Sequence, residues 1–158
     1  MAKFIDGFSE AEYSGRTFFQ RVVLDSDKVT DYHFTPSRFD KVDVFWDTDT
    51  TQNVGEIKFR IGYNVDDKCI SEGGAMLEKG KYDELKMYQN CSGLTPYYIC
   101  LFKDGNGLIY DLTELENVNW IDEKGKFPKT TMGDKTKVDK AVTYLPVNEA
   151  KKFKFQLN

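Results

Sequence analysis

The chain has 158 residues and a mass of 18.3 kDa, of which 40% are hydrophobic, 30% charged and 15% aromatic. That is enough to bury roughly 68–70% of the unfolded surface in one core, and it excludes a disordered chain, while three cysteines without CxxC spacing exclude a disulfide framework or a zinc knuckle. The 22 basic and 26 acidic residues give a net charge of −4, which taken whole argues against a nucleic-acid binder, since phosphate neutralisation needs clustered Lys and Arg. The charge is uneven, however. Residues 1–123 carry 13 basic and 23 acidic groups, a net of −10, whereas residues 124–158 carry nine lysines and three acids, a net of +6. No stretch approaches 18 apolar residues, and the first residues meet acids before an apolar run develops, so neither a membrane span nor export is expected and a reducing cytoplasm is the expected compartment.

In chain order, residues 9–24 are predicted as an amphipathic helix: Ser9 can cap it, Glu10 and Glu12 suit its first turn, and Phe18, Phe19, Val22 and Val23 recur at helical spacing. Glu12, Gly15 and Phe19 share a face. Residues 26–37, with Pro36, read as turns. Residues 39–46 form a predicted strand with Val42, Val44 and Trp46 on one side and Asp43 on the other, and residues 47–53 a polar connection. Residues 54–61 form a second strand whose faces differ sharply, with Gly55, Ile57, Phe59 and Ile61 on one and Glu56, Lys58 and Arg60 on the other. Residues 62–75 read as loop, residues 76–90 as a helix closed by Gly93 and Pro96, and residues 97–102 as a strand buried on both faces. Asp104-Gly105-Asn106-Gly107 signals a hairpin into an edge strand over 108–112. Beyond Leu115 the pattern predicts a basic loop over 124–140, a short strand over 142–145 and a helical turn over 148–152. Strand, helix and apolar strand in succession imply a crossover, hence an α/β domain with a mixed sheet.

The chemistry concentrates on the charged face of residues 54–61. A central strand normally buries apolar side chains, so Glu56 and Lys58, two residues apart, must be paired, solvated or used. Acid-x-Lys spacings are common: about three are expected by chance from this composition, and five occur, at Glu56, Asp66, Glu84, Asp122 and Glu149. Only the first lies in a strongly apolar strand and follows a strand with a lone central acid, Asp43. Two carboxylates on adjacent strands offer the hard oxygen ligands Mg²⁺ prefers, and a neighbouring lysine can orient an attacking water or stabilise developing phosphorane charge.

On these residues the chain resembles the PD-(D/E)xK nuclease superfamily. The order matches over about residues 9–112: a helix carrying Glu12, the acid in Phe39-Asp40-Lys41-Val42-Asp43-Val44, then Gly55-Glu56-Ile57-Lys58, a helix carrying Lys81, and the 97–102 strand. Val42 stands where the pattern has its proline, and Asp40 is a rival to Asp43 on the Val42 face. The resemblance implies a mixed central sheet with an αβββαβ restriction-endonuclease-like core, flanking helices and a basic C-terminal extension over 113–158, all in one domain spanning 1–158. It implies Mg²⁺- or Mn²⁺-dependent DNA endonuclease activity, with Asp43, Glu56 and the Ile57 carbonyl holding metal, Lys58 assisting the water, Glu12 in support, and Arg60 and Lys81 meeting substrate. Attack in line on phosphorus would expel the 3′-oxygen and leave a 5′-phosphate. The partner expected is duplex or branched DNA, with a homodimer where two strands are cut; such compactness suits a phage or mobile element.

Simpler readings exist for each residue. Glu56 and Lys58 belong to a solvated strand face with a cross-strand ion pair, Glu12 serves the helix dipole, Lys81 faces water, and His33 is a loop residue. Tyr97, Tyr98, Phe102 and Tyr110 belong to the core. The lysines of 124–140, with Lys151, Lys152 and Lys154, form either a solvated loop or a phosphate clamp. Function then divides between a nuclease, a hydrolase or transferase of another phosphate ester, and a non-catalytic nucleic-acid-binding or phage accessory protein that keeps the fold.

Overall fold

The computed structural model describes residues 10–36, 40–128 and 136–157. A helix, α1 (Glu10–Phe19), runs on into a π-helical turn over Gln20–Leu24. Three strands follow, β1 (Val29–Phe34), β2 (Val44–Thr48) and β3 (Gln52–Arg60), each antiparallel to the last. A short helix α2 (Lys68–Ser71) and strand β4 (Ala75–Glu78) lead without a loop into α3 (Lys79–Ser92), after which β5 (Thr95–Phe102) returns parallel to β3. Strands β6 (Asn106–Asp111), β7 (Ile121–Pro128), β8 (Lys137–Leu145) and β9 (Lys151–Lys154) complete the chain, with a 3₁₀ turn over Val147–Glu149. They form a mixed six-stranded sheet in the order β1-β2-β3-β5-β6-β9 and a three-stranded antiparallel sheet β4-β8-β7.

Three layers result. On one face of the large sheet, Phe18 and Phe19 of α1 bury against Val44, Trp46, Ile57, Ile99 and Leu101. Gly15 permits the approach: a Cβ there would already lie 3.3 Å from Ile57 Cγ2. On the other face, Leu85 of α3, Ala75 and Leu77 of β4 and Leu145 of β8 pack on Val54, Tyr98, Cys100, Phe102, Leu108 and Tyr110. The alternation of β3 therefore serves both faces: Gly55 and Ile57 turn towards α1, and Glu56, Lys58 and Arg60, opposite Tyr98, Cys100 and Phe102, towards α3. Strand β5, covered on both sides, is buried from Tyr98 to Phe102 as its apolar run predicts. Gly93, at φ 69°, ends α3 in the left-handed conformation and returns its N–H to Gln89 O at 3.0 Å.

The helix, from Glu10 on and with its last turn π-helical, the charged and apolar faces of β3, the strand–helix–strand crossover and the 104–107 hairpin stand as predicted. Several elements differ. Residues 29–34, expected as turns, form edge strand β1, and His33 lies in it, stacked on Phe45 at 5.1 Å. Residues 75–78 form β4 rather than loop and first helical turn, and Asp47 and Thr48 belong to β2, Gln52 and Asn53 to β3. Val42 packs with the α3-side cluster, away from Val44 and Trp46, because regular β2 geometry begins only at Val44. Strand β6 is not an edge, since β9 pairs with it, and of the segment expected as a basic loop, residues 124–128 belong to β7 and residues 137–140 to β8. The cap at Ser9, the strand start at Phe39 and residues 129–135 lie outside the described residues. Among the described residues no helix is long and apolar enough to cross a membrane.

Close packing on β3 gives a paired test. A Cβ at Gly55 would meet Ile99 Cδ1 at 2.9 Å, Trp46 Cζ3 at 3.1 Å and Val44 Cγ1 at 3.4 Å, whereas one at Gly80, in α3, meets nothing within 4 Å. Gly55→Val should destabilise by about 1–3 kcal/mol and Gly80→Ala should stabilise by up to about 1 kcal/mol, as opposite shifts of the urea midpoint.

Candidate active site

The site forms where β2 and β3 part. Their ladder runs to Val44 opposite Gly55 and ends with the Asp43 N–H donating to Gly55 O at 2.9 Å. Beyond that point no strand among the described residues lies beside the edge of β3. The Asp43 side chain takes the strand's place, and its Oδ2 accepts the Ile57 N–H at 2.7 Å. A strand residue's C=O points to the same edge as its N–H, so the Ile57 carbonyl faces the same opening. Just before β2, no regular strand separates the layers, and the acid pair is reached from both. From α1, Arg16 Nη2 donates to Asp43 Oδ1 at 3.0 Å, while the same guanidinium binds Thr35 O at 2.7 Å and Thr35 Oγ1 at 3.1 Å. From the opposite side, Lys81, in the first turn of α3, places Nζ 3.0 Å from Glu56 Oε1 and 3.4 Å from the Lys41 carbonyl.

Glu56 is only 7% exposed. Burial, the Asp43 charge and a hydrogen bond with Asp43 push its pKa well above the usual 4.5, and Lys81 offsets this only in part. Lys81 goes the other way: burial opposes its charge, but Glu56, Asp43 and Glu78 more than compensate and raise its pKa. Lys58 is lowered by burial and then by Arg60, against the pull of Glu56 and Glu78. A carboxylate pair, with one member inclined to keep a proton, is thus flanked by Arg16, Lys58 and Lys81.

Of the residues singled out from sequence, Asp43, Glu56, Ile57, Lys58 and Lys81 are brought together. Glu12 stands half-buried on α1 one turn before Arg16. Arg60 turns elsewhere: its Nη2 donates to Met76 O at 3.1 Å and to Tyr98 Oη at 3.3 Å, tying β3 to β4. The basic extension is divided. Lys140 is held by Glu78 at 3.2 Å, and Lys151, Lys152 and Lys154 lie on β9 at the far edge of the large sheet, three strands or about 14 Å from β3. Tyr98, Phe102 and Tyr110 are buried core. The sequence reading missed Arg16 and Glu78. Arg16 had one signal, its place between buried Gly15 and Phe18 on the face that meets the sheet.

No protein-family model, curated protein or solved structure matches the chain. The donor set suits a small hard cation: Mg²⁺ takes one or two carboxylates and keeps waters for its remaining positions, and each Asp43 oxygen that accepts one hydrogen bond retains a second lone pair. No group of three or more His, Cys, Asp or Glu side chains fit to hold a metal occurs among the described residues, so water and substrate oxygens must complete any shell.

The strain at Glu56 is measurable without a ligand. A carboxyl whose folded pKa is raised costs nothing below its unfolded pKa near 4.5 and destabilises increasingly as pH climbs towards the folded value. Glu56→Gln in EDTA should therefore melt a few degrees higher than wild type at pH 8, at about 2–4 °C per kcal/mol for a chain of this size, with the gap closing as pH falls to 4.5. Equal melting temperatures at pH 8 would contradict the buried, repelled carboxylate.

Proposed function

We propose that the chain is a metal-dependent nuclease that hydrolyses phosphodiester bonds in DNA through a site of the PD-(D/E)xK type. One observation carries the reading: the Asp43 and Glu56 carboxylates meet at the open edge of β3, beside the Ile57 backbone, with Lys58 and Lys81 alongside. The element order lends further support: α1, the antiparallel strands β1, β2 and β3 and then, after the intervening α2 and β4, α3 and the parallel β5 follow the αβββαβ succession expected of that superfamily.

Asp43 and Glu56, with the Ile57 carbonyl, would hold the cation. When bound, Mg²⁺ or Mn²⁺ supplies Lewis-acid polarisation of the phosphate and lowers the pKa of water. The chain's own residues do the rest. Arg16 fixes the Asp43 carboxylate so that one oxygen stays on the Ile57 N–H, and each oxygen keeps a second lone pair. Lys58 Nζ, with its proton affinity reduced by burial and Arg60, orients the attacking water and shares its proton. Buried Tyr98, donating to Met76 O at 2.7 Å, and Arg60 hold β4 against β3 and keep bulk water from the inner side of the site.

A non-catalytic protein that keeps this architecture is the second reading. It is favoured by the pairing already present, in which both Asp43 oxygens are engaged and Glu56 is bound to Lys81. Incubation with supercoiled, linear, branched and single-stranded DNA and with RNA, in Mg²⁺, Mn²⁺ or EDTA, separates the two. The nuclease reading expects cleavage that EDTA abolishes and that Glu56→Ala or Lys58→Ala lowers by about 10²–10³-fold. Folded protein that cuts no form in either metal would contradict it.

A further inference from the structure

The two cations that neutralise the acid pair are held very differently. Arg16 is rigid, with a planar fork spread over Thr35 O, Thr35 Oγ1 and Asp43 Oδ1 and a side chain only 11% exposed. Lys81 sits at the mouth. Its side chain is 37% exposed over a Glu56 side chain only 10% exposed, and apart from Glu56 its ammonium has a 3.4 Å contact with the Lys41 carbonyl. A lysine stem is flexible and its ammonium swings out to water at little cost. Glu56 Oε1 is also one of the oxygens that a divalent cation needs, and two positive charges on one carboxylate repel.

We infer that Lys81 is the exchangeable counter-ion of Glu56: it holds the acid while the site lacks a divalent cation, leaves as the cation arrives, and then binds the phosphate of the incoming strand. This inference rests on the nuclease reading and gives Lys81 two successive partners. Glu56 is neutralised in turn by ammonium and by metal, so the acid pair is never left uncompensated in the core. The displaced ammonium remains near the opening at the start of α3, where a phosphodiester oxygen can accept it. The role predicts opposite signs for one substitution. Loss of the charge removes a competitor for the metal and a ligand for the nucleic acid. A lysine that only supported the fold would weaken both.

The test measures Mn²⁺ affinity by electron paramagnetic resonance, without nucleic acid, for wild type, Lys81→Gln, Lys81→Arg and Lys79→Gln. The last removes a surface charge paired with Asp83 on the same helix. A phosphorothioate-blocked DNA oligonucleotide is then titrated at saturating Mn²⁺, with folding of each protein verified by circular dichroism. Lys81→Gln should bind Mn²⁺ about tenfold more tightly and the oligonucleotide about tenfold more weakly, with Lys81→Arg and Lys79→Gln close to wild type. Equal or weaker Mn²⁺ binding by Lys81→Gln beside a wild type that binds would overturn the exchange and leave the acid pair standing as a metal site. Tighter Mn²⁺ binding with unchanged DNA affinity would overturn the transfer to phosphate. No Mn²⁺ binding by any of the folded proteins would overturn the nuclease reading and this inference together.

Discussion

Two carboxylates on neighbouring strands, one of them almost wholly buried, repel each other at the centre of the molecule, and the surrounding structure makes that arrangement tolerable. Moving an ionised carboxylate out of water costs several kcal/mol even after relaxation, more than most single contacts return. The chain meets that cost locally. Arg16 and the Ile57 amide hold Asp43, Lys81 holds Glu56, and the proton affinity of Glu56 rises with burial and the Asp43 charge. Proteins built for stability alone seldom keep such a cluster, because an apolar replacement of similar volume is often as stable or better. On the proposed nuclease reading, the need to receive a cation and a phosphate is a reason to keep it.

The geometry behind the pair comes from glycine and strand ends rather than from the charges. Gly15 lets α1 settle on Ile57 and Phe59, which draws its neighbour Arg16 to the sheet; Gly55 lets Ile99 and Trp46 close over β3 on the same face. With that face fully apolar, the charged residues of β3 can only point the other way, to Tyr98, Cys100 and the first turn of α3. Strand β2 starts at Val44, and the ladder it leaves unfinished is completed by the Asp43 side chain on the Ile57 N–H. The acids meet because one is on the last pleat of a ladder and the other is just past its end.

Much of this was legible in the sequence because its signals are local. The period-two contrast between Ile57 and Phe59 and the intervening Glu56, Lys58 and Arg60 defined both faces of β3, the apolar run 97–102 marked a doubly covered strand, and the spacing of Phe18, Phe19 and Val22 marked α1. What stayed hidden depends on pairing across long separations. Strand β1 alternates half-buried Tyr32 and Phe34 with exposed Asp31 and His33, but over too few residues to stand out from the surrounding turn formers. Met76 and Leu77 fit a helical period, yet Ala75–Glu78 is held as a strand by β8, which lies about 65 residues later in the chain. The lysines of β8 and β9 hide strands whose buried residues are few. Arg16 pairs with an acid 27 residues away, and nothing near it in sequence announces that partner.

The net charge of −4 also changes meaning once its groups are placed. Lys140 is bound by Glu78 and the β9 lysines stand on the far edge of the sheet, and among the described residues the positive charge beside the acids comes from Arg16, Lys58 and Lys81. Anomalous diffraction from crystals soaked in Mn²⁺ addresses the central claim most directly. A manganese peak between the Asp43 and Glu56 carboxylates, with the Lys81 ammonium withdrawn and Arg16 still on Asp43, is the predicted result. Density with the Glu56–Lys81 pair intact and no peak at saturating Mn²⁺ would contradict it.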